Sequence, residues 1–162
     1  MATGYEPLDR LKPVAHDIWI IDGPAIRFYG MPFSTRATVV RLASGALWVH
    51  SPTKMSEPLR SEVEALGPVA HLVAPNWIHY AYVQDWANLW PEARTWAAPG
   101  VAERAAKHGV PGDFEQTLRQ EPPPDDVERM IGWNPEAVIL AHGRWYVQDG
   151  VKELRRAFRW VL

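Results

Sequence analysis

The chain has 162 residues, 47% of them hydrophobic and 22% charged, with a formal net charge of −2. That length and balance predict one soluble domain, residues 1–162, able to bury roughly 70% of the surface its unfolded form exposes without needing staples. The near-neutral charge leaves no basic footprint for nucleic acid or an anionic membrane, and the absence of cysteine excludes disulfides, thiolate metal sites and a cysteine nucleophile.

Residues 1–7 carry no basic start and no apolar run, so they are not expected to act as a secretory signal, and a cytoplasmic location is expected. No apolar stretch approaches the ~20 residues of a membrane helix. Ile18-Trp19-Ile20-Ile21 predicts a short strand closed by a turn at Asp22-Gly23-Pro24. Thr38 to Leu42 and Leu47 to His50 predict a hairpin turning at residues 43–45 and stopped by Ser51-Pro52.

A helix is predicted over 56–66. Ser56 caps it, Pro58 sits in its first turn, and Gly67-Pro68 end it, while Leu59, Val63 and Leu66 share one face. A strand follows over 69–74, a helix over 80–89 with Tyr82, Trp86 and Leu89 on one side, a strand over 95–98 and a short helix over 101–107. The stretch 112–124, with Pro122-Pro123-Pro124, reads as an extended loop. Asp125-Asp126 open a helix through Ile131, where the dipole favours negative charge. A last strand is predicted over 137–140 and a last helix over 151–162, with Val151, Leu154, Phe158 and Val161 on one face. A hairpin followed by alternating helices and strands is an α/β pattern.

Two strand ends carry histidine on a turn. They are Leu72-Val73-Ala74-Pro75-Asn76-Trp77-Ile78-His79-Tyr80 and Val138-Ile139-Leu140-Ala141-His142-Gly143-Arg144. Strand mouths are where α/β proteins collect ligands and reacting groups, and a joint site requires these two turns to meet.

These features, in this order, resemble the metallo-β-lactamase fold group, in which an early hairpin leads through a helix to a strand ending in His-x-His-x-Asp-His, and a late strand ends in a further His. The chain is most similar to a bacterial family of unknown function with that fold and a degenerate motif. The residues that carry the resemblance are Leu11-Lys12-Pro13-Val14, Ile18-Trp19-Ile20, Asp22-Gly23, Thr35-Arg36, Val39 to Leu42, Leu47 to Pro52 and the Pro-Asn-x-x-His turn Pro75 to His79. It spans roughly residues 10–100 and again 130–162.

The resemblance implies a reduced αββα sandwich with a shortened second half, since 109–124 is too short for the expected further strands. Against the motif, Pro75 and Trp77 stand at the first two histidine positions, His79 at the aspartate and Tyr80 at the last histidine. His50-Ser51-Pro52 replaces the usual Asp-Thr-Gly, and His142 alone keeps its place.

A metal ion needs three or four N, O or S ligands converging on one point. His79 and His142 are the candidate ligands, with Asp85 or Asp22 as a third, and the same two histidines are the candidate catalytic groups. The alternative is that both hold loops by hydrogen bonds. Asn76, Trp77, Tyr80 and Arg36 are candidate ligand-binding residues. Asn76 suits either a ligand or its own loop. Arg36 suits an anion clamp or a surface ion pair.

His50 and Ser51, adjacent on a strand, are expected to point to opposite faces and not to pair. His16, His71 and His108 show no pairing. Trp19, Trp48, Trp77 and Trp86 read as core, with Trp77 also suited to line a pocket beside Asn76.

Three functions remain open. One is a descendant of the fold without its metal centre, acting as a binding or structural module, with a homodimer burying tryptophans as one form. Another is an atypical hydrolase in which a histidine acts as general base, or carries one divalent ion of Zn, Mn or Fe that acidifies water. The last is a sensor or carrier of a small anionic molecule. No cofactor is expected under the first or third, and neither nucleic acid nor membrane is an expected partner.

Overall fold

The computed structural model describes residues 5–109, 114, 116–117 and 123–159, without the side chains of 28, 116–117 and 123–127. The chain divides into two compact units, Met1–Arg119 and Gln120–Leu162.

In the first unit the strands stand side by side in chain order: β1 (Lys12–Ala15), β2 (Ile18–Phe28), β3 (Met31–Arg41), β4 (Leu47–His50), β5 (Val69–Ala74), β6 (Arg94–Ala97) and β7 (Gln116–Thr117). Pairing is antiparallel from β1 to β4 and parallel from β4 to β7. Parallel neighbours cannot be joined by a tight turn. The crossovers carry α1 (Glu57–Leu66), α2 (Val83–Leu89) and α3 (Val101–Lys107).

The first crossover forms as its sequence predicts. Ser56 is extended and its hydroxyl accepts the Leu59 N–H at 3.4 Å, with proline in the first turn. Leu59 and Val63 are fully buried against Ile21, Val39, Val49 and Leu72 of the sheet. Each such side chain contributes roughly 1.5–3 kcal/mol. Trp86 of α2 is also fully buried, and its Nε1–H donates to the Thr53 carbonyl at 2.8 Å. The predicted helix over 80–89 is shorter than its pattern, since α2 begins at Val83. The predicted helix over 101–107 is α3.

The largest correction lies in the first hairpin. Asp22-Gly23-Pro24 does not turn the chain; β2 runs through it, with a register irregularity between Gly23 and Ile26, and pairs with β3 as far as Phe28–Met31. Asp22 lies opposite Arg36 in that register. Their side chains are buried, and the Arg36 Nε–H and Nη2–H both donate to Asp22 Oδ1, at 2.9 and 2.7 Å. Lys12 of β1 pairs with the other carboxylate oxygen, and the Tyr5 ring lies against the guanidinium, 5.5 Å from its Cζ. Arg36 is therefore a buried ion-pair residue and not a surface one.

Gly23 is required for a different reason. A Cβ there would lie 2.6 Å from Thr35 Oγ1 and 2.8 Å from Thr53 Cβ. Thr53, in the buried segment 51–53, thus packs directly against a backbone position with no room for a side chain.

In the second unit α4 (Pro123–Gly132) and α5 (Gly150–Ala157) pack on each other. Leu154 is the buried residue of the predicted apolar face of α5, and Val161 lies outside the described residues. The strand predicted over 137–140 is reduced to a single antiparallel bridge between Val138 and Tyr146. A four-residue apolar run becomes a strand only beside a partner of matching length. Most of the 112–124 stretch lies outside the described residues, which show β7 and the start of α4 there. Among the described residues no helix is long and apolar enough to cross a membrane.

Gly23→Ala should cost about 1–3 kcal/mol, the usual penalty of overpacking a dense site. Arg36→Met should cost about 3–5 kcal/mol by stranding a buried carboxylate. Urea denaturation measures both, and unchanged midpoints would refute the close approach at 23 and the buried pair respectively.

Candidate functional site

β4, β5 and β6 run parallel, so their carboxyl ends form one rim. Residues 51–56, 75–82 and 98–100 leave it.

Ser51 follows the last residue of β4 with φ at 56°, in the left-handed region, and its N–H donates to the Val73 carbonyl of β5 at 2.9 Å. The strand alternation that separates neighbouring side chains ends at this kink. Ser51 Oγ then lies 3.0 Å from His50 Nδ1 and 2.8 Å from His79 Nδ1. His79 is brought there by an Asx turn in which Asn76 Oδ1 accepts the Ile78 N–H at 3.1 Å, while the His79 N–H donates to the Asn76 carbonyl at 3.2 Å. The expectation that His50 and Ser51 face apart is overturned, and the cause is the left-handed serine.

A hydroxyl has one proton. With both imidazoles neutral, Ser51 donates to one Nδ1 and accepts from the other, so the two rings hold opposite tautomers. His50 stacks on Trp48, with ring centroids 5.5 Å apart. Burial lowers the pKa of His50 below its ordinary value of 6.5, which keeps it neutral near pH 7.

Tyr80 is half-buried against the core, and its carbonyl accepts the Val83 N–H. Arg36 directs its Nε–H and Nη2–H to Asp22. Asp85 is exposed on α2. Trp77 is 57% exposed and so is not core; its Nε1–H donates to the Pro99 carbonyl at 3.0 Å, beside α3.

His142 is half-buried in the bend at 141–143 of the second unit, where Gly143 has a φ of 74°. Two histidines expected to be unpaired have partners: His16 contacts Asp17 at 2.9 Å, and His71 Nδ1 accepts the Trp96 Nε1–H at 3.1 Å. Ser51 and His50 are the residues that sequence reasoning set aside. The only signal for them was the Ser-Pro stop at a strand end.

Among the described residues no group of three or more His, Asp or Glu side chains is placed to hold a metal ion. At the rim the described imidazoles, His50 and His79, are bonded through Nδ1 to a hydroxyl, and two imidazoles are fewer than the three or four ligands of a metal centre.

Residues 16–102 match the family described as a domain of unknown function, DUF4336, and the chain belongs to that family. The fold is that of the metallo-β-lactamases. The DIM-1 metallo-β-lactamase exposed to ceftazidime superposes with a TM-score of 0.64 at 13% identity, covering 94% of this chain and 97% of that one. The metallo-β-lactamase from Pontibacter korlensis gives 0.65 at 10%, covering 94% and 98%. FIM-1 from Pseudomonas aeruginosa, in its mono-zinc form, gives 0.51 at 12%, covering 68% and 50%. Identities this low establish the fold alone. No protein of curated function matches the sequence.

The lowered His50 pKa makes stability depend on pH. Between the folded value and 6.5 the unfolded chain binds more protons, so stability rises with pH across that window. The His50 contribution is complete above about pH 6.5 and is lost as pH falls through the window. Urea titrations from acid to neutral pH should show this loss, and His50→Asn should flatten it; an unchanged slope in the variant would refute a buried neutral His50.

Proposed function

We propose, from membership of the DUF4336 family on a metallo-β-lactamase fold, that this protein has exchanged a metal centre for a serine-linked histidine pair and works as a binding module. One observation carries the reading: both imidazoles at the rim turn Nδ1 to Ser51 Oγ, at 3.0 and 2.8 Å. Of the two neutral rings, only the one that carries its proton on Nδ1 keeps an Nε2 lone pair for an ion. Pro75 and Trp77, at the positions the motif assigns to histidine, supply no ligand. FIM-1, which shares the fold, is described in a mono-zinc form; the donor set here supports a different use of the same rim.

Elemental analysis of the purified protein for Zn, Mn and Fe tests this. Substoichiometric metal, unchanged in His79→Ala and His142→Ala, is expected. Stoichiometric metal lost in both variants would overturn the reading.

The same contact supports a second reading, a metal-free hydrolase. Ser51 Oγ would attack an electrophile while its proton passes to His79 Nδ1. A fluorophosphonate probe separates the two. In a hydrolase the serine oxygen bonds to phosphorus, fluoride leaves, and the label on Ser51 disappears in Ser51→Ala and falls sharply in His79→Ala. A binding module stays unlabelled.

A further inference from the structure

Trp77 stands beside a cavity of about 210 Å³ lined by Gly100, Glu103, Arg104, Lys107 and His108 together with its own indole. The ring is held, not loose. Its Nε1–H is tied to the Pro99 carbonyl at 3.0 Å, and Gly100, with φ at 78°, lies so close that a Cβ there would sit 3.2 Å from Nε1 and 3.5 Å from the ring carbons. The Arg104 Cζ lies 6.0 Å from the ring centroid. Arg104 Nε is buried and has no hydrogen-bond partner among the described residues.

A buried donor without an acceptor is costly, and native proteins rarely leave one unless a water, ion or ligand answers it. The wall has two permanent cations, Arg104 and Lys107, against one acid, Glu103, with His108 as a further potential cation. The acceptor it suits is thus anionic. A carboxylate meets a guanidinium through parallel charge-assisted bonds, and Arg104 lines this cavity. The exposed indole offers a π face for a flat group. The cavity is smaller than the roughly 300–1,000 Å³ of drug-sized sites, which limits the ligand to about one ring.

We infer that the pocket between Trp77 and α3 binds a small aromatic carboxylate, its ring against the indole and its carboxylate on Arg104, with Lys107 adding charge. This rests on the binding-module reading and gives that reading a ligand class.

Benzoate is the probe, read by the Trp77 indole N–H resonance in NMR titrations of the full chain, with Trp77→Phe assigning the signal. Saturable millimolar-range movement of that resonance is expected. Arg104→Met should weaken it by about tenfold or more, as loss of a charge-assisted pair does. Lys107→Gln should weaken it less, and Trp77→Phe should keep part of the affinity where Trp77→Leu does not, followed through the other shifted resonances.

Benzamide, which lacks the charge, and cyclohexanecarboxylate, which lacks the ring, should each bind more weakly than benzoate. The inference is overturned by no movement at Trp77, by movement that Arg104→Met leaves unchanged in a folded variant, or by either control matching benzoate. These readouts do not depend on metal content. Stoichiometric metal would sink the metal-free reading alone, whereas a silent Trp77 in metal-free protein would sink this one.

Discussion

The close crossing of residues 51–53 over Gly23 is the constraint on which the rim depends. β2 and β3 approach the segment with Thr35 on one side, and Thr53 fills the space a Cβ at 23 would need. Trp86 fastens the same segment from the helical face through the Thr53 carbonyl, and Ser51 fastens it to β5 through Val73. With both ends fixed, Ser51 has little choice but the left-handed conformation that sets its hydroxyl between two imidazoles. A backbone held in a sparsely populated region costs free energy, and it persists when surrounding contacts determine it more strongly than its own preference.

That geometry sets two imidazoles on one hydroxyl. In a metal centre each imidazole presents a lone pair to the ion, and its other nitrogen is oriented by a carboxylate or carbonyl. Here Nδ1 of each ring is bonded to a hydroxyl, and Asp22, on β2, is buried with Arg36 and also paired with Lys12. The Asp22 carboxylate is thereby committed to ion pairs within the sheet. The two statements are linked, because Asp22 lies next to Gly23, where the segment crosses.

The parallel half of the sheet was legible in the sequence because its signals are local. Ser56, Pro58 and Gly67 bracket α1, and the 3.6-residue spacing of Leu59 and Val63 names its buried face. The 101–107 helix was read to the residue for the same reason. The predicted β3–β4 hairpin was legible too, but the β2–β3 pairing was not, because Asp22-Gly23-Pro24 has the composition of a turn while its real constraints come from partners far along the chain: Arg36 is 14 residues away and Thr53 further still. The Ser51–His79 contact spans 28 residues and depends on a φ that no sequence pattern encodes for serine. The 137–140 run failed for the opposite reason. Its local signal was good, but a strand is a property of a pair.

Trp77 shows how much of a site is physical context and how little is residue type. Tyr29 and Trp133 are more exposed, at 84% and 70% against 57%, and scattered exposed aromatics are ordinary on soluble proteins. What separates Trp77 is the set of restraints around it: a hydrogen bond that fixes the ring, a glycine that lets the backbone pass close beneath it, and a guanidinium alongside whose buried Nε–H has no acceptor among the described residues. Immobilising an indole before a ligand arrives removes part of the ordering cost of binding. The same rim therefore offers two different faces. The inner one joins imidazoles to a hydroxyl, and the outer one joins a π surface to a cation whose hydrogen bonding is incomplete.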